Sequence, residues 1–412
     1  MQRIRFTIIF VWLAMVVAAQ NVARTYYLSD TTRYSEVSGY GYDVLPRPGK
    51  QNTKPFYYSV KVPDGNYLVT LKIGHKKKAG VTTVRAESRR LFVRRLATKK
   101  GEFVTESFIV NKRTPFIVDN ESVKIKAREK ATFTWDDKIT FEFNGENPLC
   151  ESIHVETAPA TVPTVFLYGN STVTDQDREP WASWGQMIPA FFNDKVAFAN
   201  YAESGESANS FIAAGRMKKA LSQMKAGDYV FIEFGHNDMK QTGPGKGAWY
   251  SFMINLKTLV DEARAKGATP VLVTPTQRRR FENGRNQNTH GEYPDAMRWL
   301  ANKENIPLID LNEMTRIFFD ALGEERSKKA LVHYPANTFP GQKQELADNT
   351  HFSTYGAYQV AQCVINGMLQ VTPELTKYLK PGFCFHPAQP DSPDTFVWEL
   401  SPLTDKNKPD GD

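Results

Sequence analysis

Cysteine is scarce in this chain: Cys150, Cys363 and Cys384 are the three among 412 residues. No two of them have metal-ligand spacing, so a zinc-organised fold is excluded, and three thiols cannot supply a disulfide framework. In an exported protein two could pair, with Cys363 and Cys384 closing a short loop, or all three could stay reduced. Long apolar runs are nearly absent as well. The one of note covers residues 6–18, follows Arg3 and Arg5, and ends in Val-Ala-Ala before Gln20. It is short for a membrane span and has the shape of a signal peptide, residues 1–19, cleaved after Ala19; an uncleaved anchor is the alternative. No cysteine follows the run to carry a lipid, and no other segment is long and apolar enough to cross a membrane. Internal repeats are missing too.

What is present is an ordinary globular composition, 41% hydrophobic and 24% charged, with length for two or three domains. The net charge of +7 is unevenly placed. Residues 24–160 hold 24 Lys and Arg against 16 Asp and Glu, while residues 161–412 hold 26 against 29. The densest basic stretch contains Lys76, Lys77, Lys78, Arg89, Arg90, Arg94, Arg95, Lys99 and Lys100. It reads either as a surface that concentrates an anionic partner or as an ordinary solvated face. In an exported protein an acidic polysaccharide suits such a surface better than nucleic acid.

Residues 24–160 alternate in short apolar runs separated by turns such as Pro63-Asp64-Gly65-Asn66, the pattern of an antiparallel β-sandwich. Strands are expected near residues 56–62, 67–73, 81–84, 91–93, 103–110, 116–118, 123–125 and 139–143. Residues 39–43, glycine-rich and aromatic, are expected against the neighbouring domain. Residues 157–163 are small or proline, a natural boundary. Beyond it strands alternate with helices: strands near 164–168, 196–200, 229–234, 269–274 and 307–310, helices near 184–192, 210–224, 249–266, 295–304 and 354–369. Repeated βα units predict a doubly wound parallel sheet over residues 161–371. A proline-rich tail, residues 372–412, completes the chain.

The chemistry gathers at strand ends. The apolar run 165–168 ends in Gly169-Asn170-Ser171, placing a hydroxyl at the carboxyl edge of the sheet, where ligands bind in open α/β folds. A serine needs a base to take its proton and a third group to orient that base. Asp348-Asn349-Thr350-His351, read as a loop before the last long helix, offers both, with Ser353 or Thr354 as the helix N-cap. Oxyanion donors are available from the backbone of Ser171 and Gly205 and from the amide of Asn237 in Gly235-His236-Asn237-Asp238. His236 reads as a structural hydrogen-bonding group. Arg278, Arg279 and Arg280 follow a strand end, so one or more could pair with a sugar carboxylate. Trp181, Trp184 and Trp249 are candidate sugar-stacking faces, each with a core role as the alternative.

These blocks, Gly169-Asn170-Ser171-Thr172, Gly205, Gly235–Asp238 in sequence, and Asp348 with His351, resemble an SGNH (GDSL-like) hydrolase over residues 164–370. Asn200-Tyr201-Ala202, the run from Gly205 to Phe211, Thr274-Pro275-Thr276-Gln277 with its arginines, and the stretch from Asp348 to Gly356 resemble the rhamnogalacturonan acetylesterase branch. The resemblance implies a flavodoxin-like catalytic domain preceded by a sandwich of galactose-binding-like type. It implies Ser171 as nucleophile, His351 as base, Asp348 as its orienter, and Ser171, Gly205 and Asn237 as the oxyanion hole. No metal or organic cofactor is implied. Two positions depart from the family's pattern: Asn170 stands where many members have Asp, and Glu206 where relatives often carry a basic residue.

The reading is a monomeric exported carbohydrate esterase, periplasmic or secreted and off the membrane after signal cleavage, that removes O-acetyl groups from an acidic pectic polymer, rhamnogalacturonan. Activity is expected to fall on an acid limb near the ordinary imidazole pKa of roughly 6–7. Acetylxylan or peptidoglycan is the alternative substrate. A carbohydrate-binding protein with an inactive hydrolase domain is the alternative from another class.

Overall fold

The computed structural model describes residues 22–46, 54–118, 120–404 and 408–410; the expected signal peptide lies outside them. The first module contains β1 (Ala23–Tyr27), β2 (Tyr40–Asp43), β3 (Phe56–Lys61), β4 (Gly65–Gly74), β5 (Gly80–Ala86), β6 (Arg90–Thr98), β7 (Phe103–Lys112), β8 (Lys138–Asn144) and β9 (Cys150–Thr157). They form two antiparallel layers, β2-β3-β8-β5-β6 and β1-β9-β4-β7. Alternation along β4 turns Tyr67, Val69, Leu71 and Ile73 inward. There they pack against Tyr58, Val60, Phe141 and Phe143 of the facing layer, which makes the module the expected sandwich.

The second module contributes β10 (Thr164–Tyr168), β11 (Ala197–Asn200), β12 (Tyr229–Ile232), β13 (Thr269–Val273), the small hairpin β14 (Phe281–Glu282) and β15 (Arg285–Asn286), β16 (Leu308–Ile309), and the antiparallel pair β17 (Leu331–Tyr334) and β18 (Leu346–Phe352). Its helices are α1 (Trp184–Met187), α2 (Ala208–Ala213), α3 (Arg216–Gln223), α4 (Met253–Ala265), α5 (Tyr293–Lys303), α6 (Leu311–Ser327), α7 (Thr354–Val371) and α8 (Pro373–Thr376). The parallel strands run in the order β11-β10-β12-β13-β16, the flavodoxin-like arrangement with its switch point at β10. Helices α1, α6 and α7 cover one face; α2, α3, α4 and α5 cover the other. Both faces of β10 are therefore dry, and all five of its residues are buried, which explains its unbroken apolar run.

The two modules share one sheet. Val110 of β7 pairs in parallel with Phe198 of β11, so four sandwich strands and five catalytic strands form a continuous nine-stranded sheet.

Several local expectations are corrected. The β2 segment lies at the edge of the five-stranded sheet opposite β6, where Tyr42 meets Phe56 at a tilt and Tyr58 edge-on within its own sheet. Residues 116–118 and 123–125 are not strands; apart from a single bridge, Phe116 to Ser122, residues 113–137 form an irregular excursion with one 3-10 turn, Ala127–Ala131. The expected helix over 210–224 is broken into α2 and α3 at Gly215, whose φ of 79° is left-handed. Helix α6 and the β17–β18 pair were not anticipated. The Asp348–His351 block accordingly lies on a strand, not in a loop. All three cysteines are free thiols.

The arginine stretch is the largest correction. Arg89 and Arg90 are buried and face the catalytic module, whereas Arg94 stacks on Tyr358 and Phe396 and Arg95 pairs with Glu399. The tail is a strap as much as a surface segment. Trp398 Nε1 donates to Glu179 of the catalytic module, while Ser401 Oγ donates to Glu142 of the sandwich.

Candidate active site

Ser171 follows β10 by three residues and is 2% exposed. A Cβ on Gly169 would meet Val173 Cγ2 at 2.5 Å and the Glu233 carbonyl oxygen at 3.0 Å, so the turn closes only on glycine. Asn170 Oδ1 accepts from the Thr172 backbone N–H at 3.1 Å and from its hydroxyl at 3.0 Å. A neutral amide thus caps the turn beside the serine.

Glu233, fully buried, lies beneath that turn. Its Oε1 is 2.7 Å from Thr172 Oγ1, and its Oε2 accepts from Trp184 Nε1 at 2.5 Å. Burial pushes the Glu233 carboxyl up to about 7 despite the opposing hydrogen bonds of Thr172, Trp184 and the Thr276 backbone. The Thr172 hydroxyl has one hydrogen and two acceptor neighbours. Ionised, Glu233 accepts from Thr172; protonated, it can donate to Thr172 while Thr172 donates to Asn170. Sequence reading missed Glu233, although a lone acid ending the apolar Tyr229–Phe234 run was a usable signal.

On β18, His351 Nδ1 lies 2.7 Å from Asp348 Oδ2, while Asp348 Oδ1 accepts from the N–H groups of Thr350 and His351 at 2.8 and 3.0 Å. Burial would raise the Asp348 pKa, but the hydrogen bond and charge of His351 with these two N–H groups outweigh it and hold the carboxylate well below its usual range. One short segment brings this pair to the serine turn. Trp184 N donates to the Thr172 carbonyl, and Ala182 N donates to the carbonyl of Phe352, the neighbour of His351.

The glycine block is tied in on both sides. Glu203 N donates to the Gly169 carbonyl, and Gln176 Nε2 donates to the Ser171 carbonyl at 2.8 Å and to Ser204 Oγ at 3.3 Å. Gly205 is left-handed at φ 79°. Asn237 Nδ2 spends one N–H on the Glu206 carbonyl at 2.9 Å; the amide has a second to offer. Asp238 joins Ala208 N–H to Gly235 N–H through its two oxygens, and burial pushes it up to about 6 against those bonds. The blocks of Ser171, Gly205, Asn237 and His351 therefore form one hydrogen-bonded cluster at the carboxyl edge of the sheet.

The arginine triplet divides. Arg278 Nε donates to Thr350 Oγ1 and its Nη2 to the His236 carbonyl, bracing the strand of His351 against the loop of Asn237. Arg279 is held by the Asn349 and Glu324 carbonyls and Ser327 Oγ. Arg280 is exposed and pairs with Glu282. His236 is buried against His290; burial, with His290 and Arg278 beside it, holds it well below its ordinary pKa, which suits a structural role. Trp181 and Trp184 are core, while Trp249 is 45% exposed. Among the described residues no group of His, Cys, Asp and Glu could hold a metal ion.

A second layer, absent from the sequence reading, comes from the sandwich. Arg90 clamps Asp175, four residues past Ser171, through Nε at 3.1 Å and Nη2 at 2.6 Å. Arg89 pairs with Glu179 at 2.6 Å and donates to the Trp181 and Gln176 carbonyls. Arg113 donates to the Asn200 carbonyl and stacks between Trp135 and Tyr201.

A flavodoxin-like sheet carrying a serine turn, an Asp–His pair and clustered amide donors at its switch point defines an SGNH-type carboxylic-ester hydrolase. The family described as GDSL-like lipase/acylhydrolase matches residues 167–357. Rhamnogalacturonan acetylesterase RhgT of Bacillus subtilis (strain 168) is 43% identical over 218 residues, 52% of this chain and 93% of the relative. The probable rhamnogalacturonan acetylesterase YesY of the same organism is 32% identical over 52% of this chain and 95% of its own length. A crystal structure of Bacillus subtilis protein YxiM covers 82% of this chain and 92% of its own, with TM-score 0.47 and 21% identity. The chain belongs to the GDSL-like lipase/acylhydrolase family.

Proposed function

We propose that this protein is an exported, monomeric carbohydrate esterase that removes O-acetyl groups from pectin, with rhamnogalacturonan as its polymer. The observation that carries the reaction is the 2.7 Å contact between His351 Nδ1 and Asp348, which leaves Nε2 as the ring's basic atom. His351 takes the proton of Ser171 as its Oγ attacks the acetyl carbonyl. The N–H groups of Ser171 and Gly205 and the amide of Asn237 receive the negative charge. The sugar hydroxyl leaves with the proton from His351, and water repeats the sequence to release acetate and restore Ser171. The similarity to RhgT over 93% of that relative supports the choice of polymer. Residues 1–19, read as a signal peptide, support a location in the periplasm or the exterior. The sandwich, residues 24–160, is taken as galactose-binding-like in type, and the catalytic domain spans residues 161–371.

The test is acetate release from acetylated rhamnogalacturonan by the native protein and by Ser171→Ala. Release by the first and a loss of at least ~10³-fold in the second are expected. Cleavage of a small aryl acetate but not of this polymer would overturn the substrate. A folded protein active on neither would overturn the enzyme reading.

A further inference from the structure

The irregular excursion of residues 113–137 passes beside the proposed acyl-transfer site. Lys126 Nζ donates to the Ser204 carbonyl at 2.6 Å and lies 3.2 Å from Glu206 Oε1. Arg128 Nη2 donates to the same carbonyl at 3.2 Å and pairs with Glu203. Both cations thus flank Gly205, one of the expected oxyanion donors. A Cβ placed on Gly205 would come within 3.2 Å of Lys126 Nζ. Behind them a cleft runs between Arg128, Thr132, Thr134 and Trp135 of the first module and Asp175 to Asp177 and Ala202 to Ser204 of the second.

A carboxylate of this chain already occupies the place. Asp410 of the tail has its Cβ 2.9 Å from the position a Gly205 Cβ would take, and its Oδ2 lies 3.6 Å from Arg128 Nε. The two cations are balanced by Glu203 and Glu206, which are 7% and 4% exposed. Without them the rim would present buried negative charge to any incoming acid.

The geometry points to Lys126 and Arg128 as the carboxylate subsite of the acyl-transfer site: the first module supplies the residues that hold a uronate next to the acetylated sugar. This rests on the esterase reading and adds to it which residues select an acidic substrate. Arg128 suits the role because its planar fork can serve Glu203 and a ligand carboxylate from different N–H groups. Asp410 stands in for that ligand and must leave when substrate enters.

The experiment uses the full chain, with aryl acetate hydrolysis as the readout and an unacetylated galacturonate trimer as a competitive inhibitor. Arg128→Gln and Lys126→Gln are each expected to weaken inhibition by about tenfold. On acetylated rhamnogalacturonan oligosaccharides the same variants should raise KM by a similar factor, at least fivefold more than their effect on the aryl ester. Arg128→Lys should recover part of the loss. Lys377→Gln, at the C-terminal end of α8 where it pairs with Glu374, should change neither. Inhibition by the trimer that is unaltered in both variants would overturn the subsite while leaving the esterase intact. So would equal losses on the aryl ester and the oligosaccharide, which mark a merely structural role. No aryl ester hydrolysis by the native protein would instead overturn the esterase reading.

Discussion

The turn that carries Ser171 and the junction where Arg90 meets Asp175, four residues further along the chain, are built on opposite principles. Beneath the serine turn the groups are amides, hydroxyls and backbone, with the Asn170 amide inside the turn and Glu233 pushed towards its neutral form. At the junction full charges are buried in pairs: Arg90 with Asp175, Arg89 with Glu179, Arg216 with Glu129. A charged junction penalises misplacement heavily. A buried ion pair adds little net stability over an apolar contact, yet breaking one leaves an uncompensated charge. The junction therefore specifies how the modules meet rather than merely gluing them.

Removing the first module is the strongest way to break the comparison. A chain beginning at residue 161 leaves Asp175, Glu179 and the Asn200 carbonyl without their cations and cuts β11 from β7. It is expected to fail to fold, read as loss of a cooperative thermal transition; a folded, fully active fragment would refute the account of the junction. Next comes Arg90→Met in the full chain, which strands Asp175. A loss of about 3–5 kcal/mol should appear in denaturant unfolding, against about 1 kcal/mol or less if the pair were solvated.

The smallest effect is the sharpest probe of the groups beneath the serine turn. A carboxyl whose folded pKa is raised binds its proton more tightly folded than unfolded, so its stabilising contribution is greatest at low pH and is lost as pH rises. For Glu233 the window runs from the unfolded value of 4.5 to about 7. Glu233→Gln can keep the bonds to Thr172 and Trp184 without ionising. Relative to the native protein it should therefore gain a few degrees in Tm between pH 5 and pH 8. A pH-independent difference would show that Glu233 is already ionised throughout.

How much of this was legible divides along the same line. The blocks of Ser171, Asn237 and His351 were readable because their chemistry is local, resting on residues adjacent in sequence at strand ends. The doubly wound sheet was readable because β10, β12 and β13 are buried on both faces and lack alternation. The junction was not, since nothing in Glu87-Ser88-Arg89-Arg90 distinguishes an arginine bound for Asp175 from one bound for water. The partners are 85 residues apart. The 113–137 excursion was unreadable for a related reason: its short apolar runs imitate strands, yet Ile117, Val123 and Ile125 pack on the core of the second module while Phe116 and Val118 are exposed. Helix α6 was overlooked despite Asp310 at its N-cap.

The strap formed by the tail has a consequence for the order of assembly. Ser401 meets Tyr57 and Glu142, and Glu399 meets Thr83, across separations of 344, 259 and 316 residues. A chain emerging vectorially, from a ribosome or through a membrane, therefore cannot close these contacts until residues 399–401 have appeared. Contacts of such long range slow folding, and until they form Tyr57, Thr83 and Glu142 lack the partners that the strap supplies. Trp398 and Ser401 thus fasten the first module to the second well after both have been made.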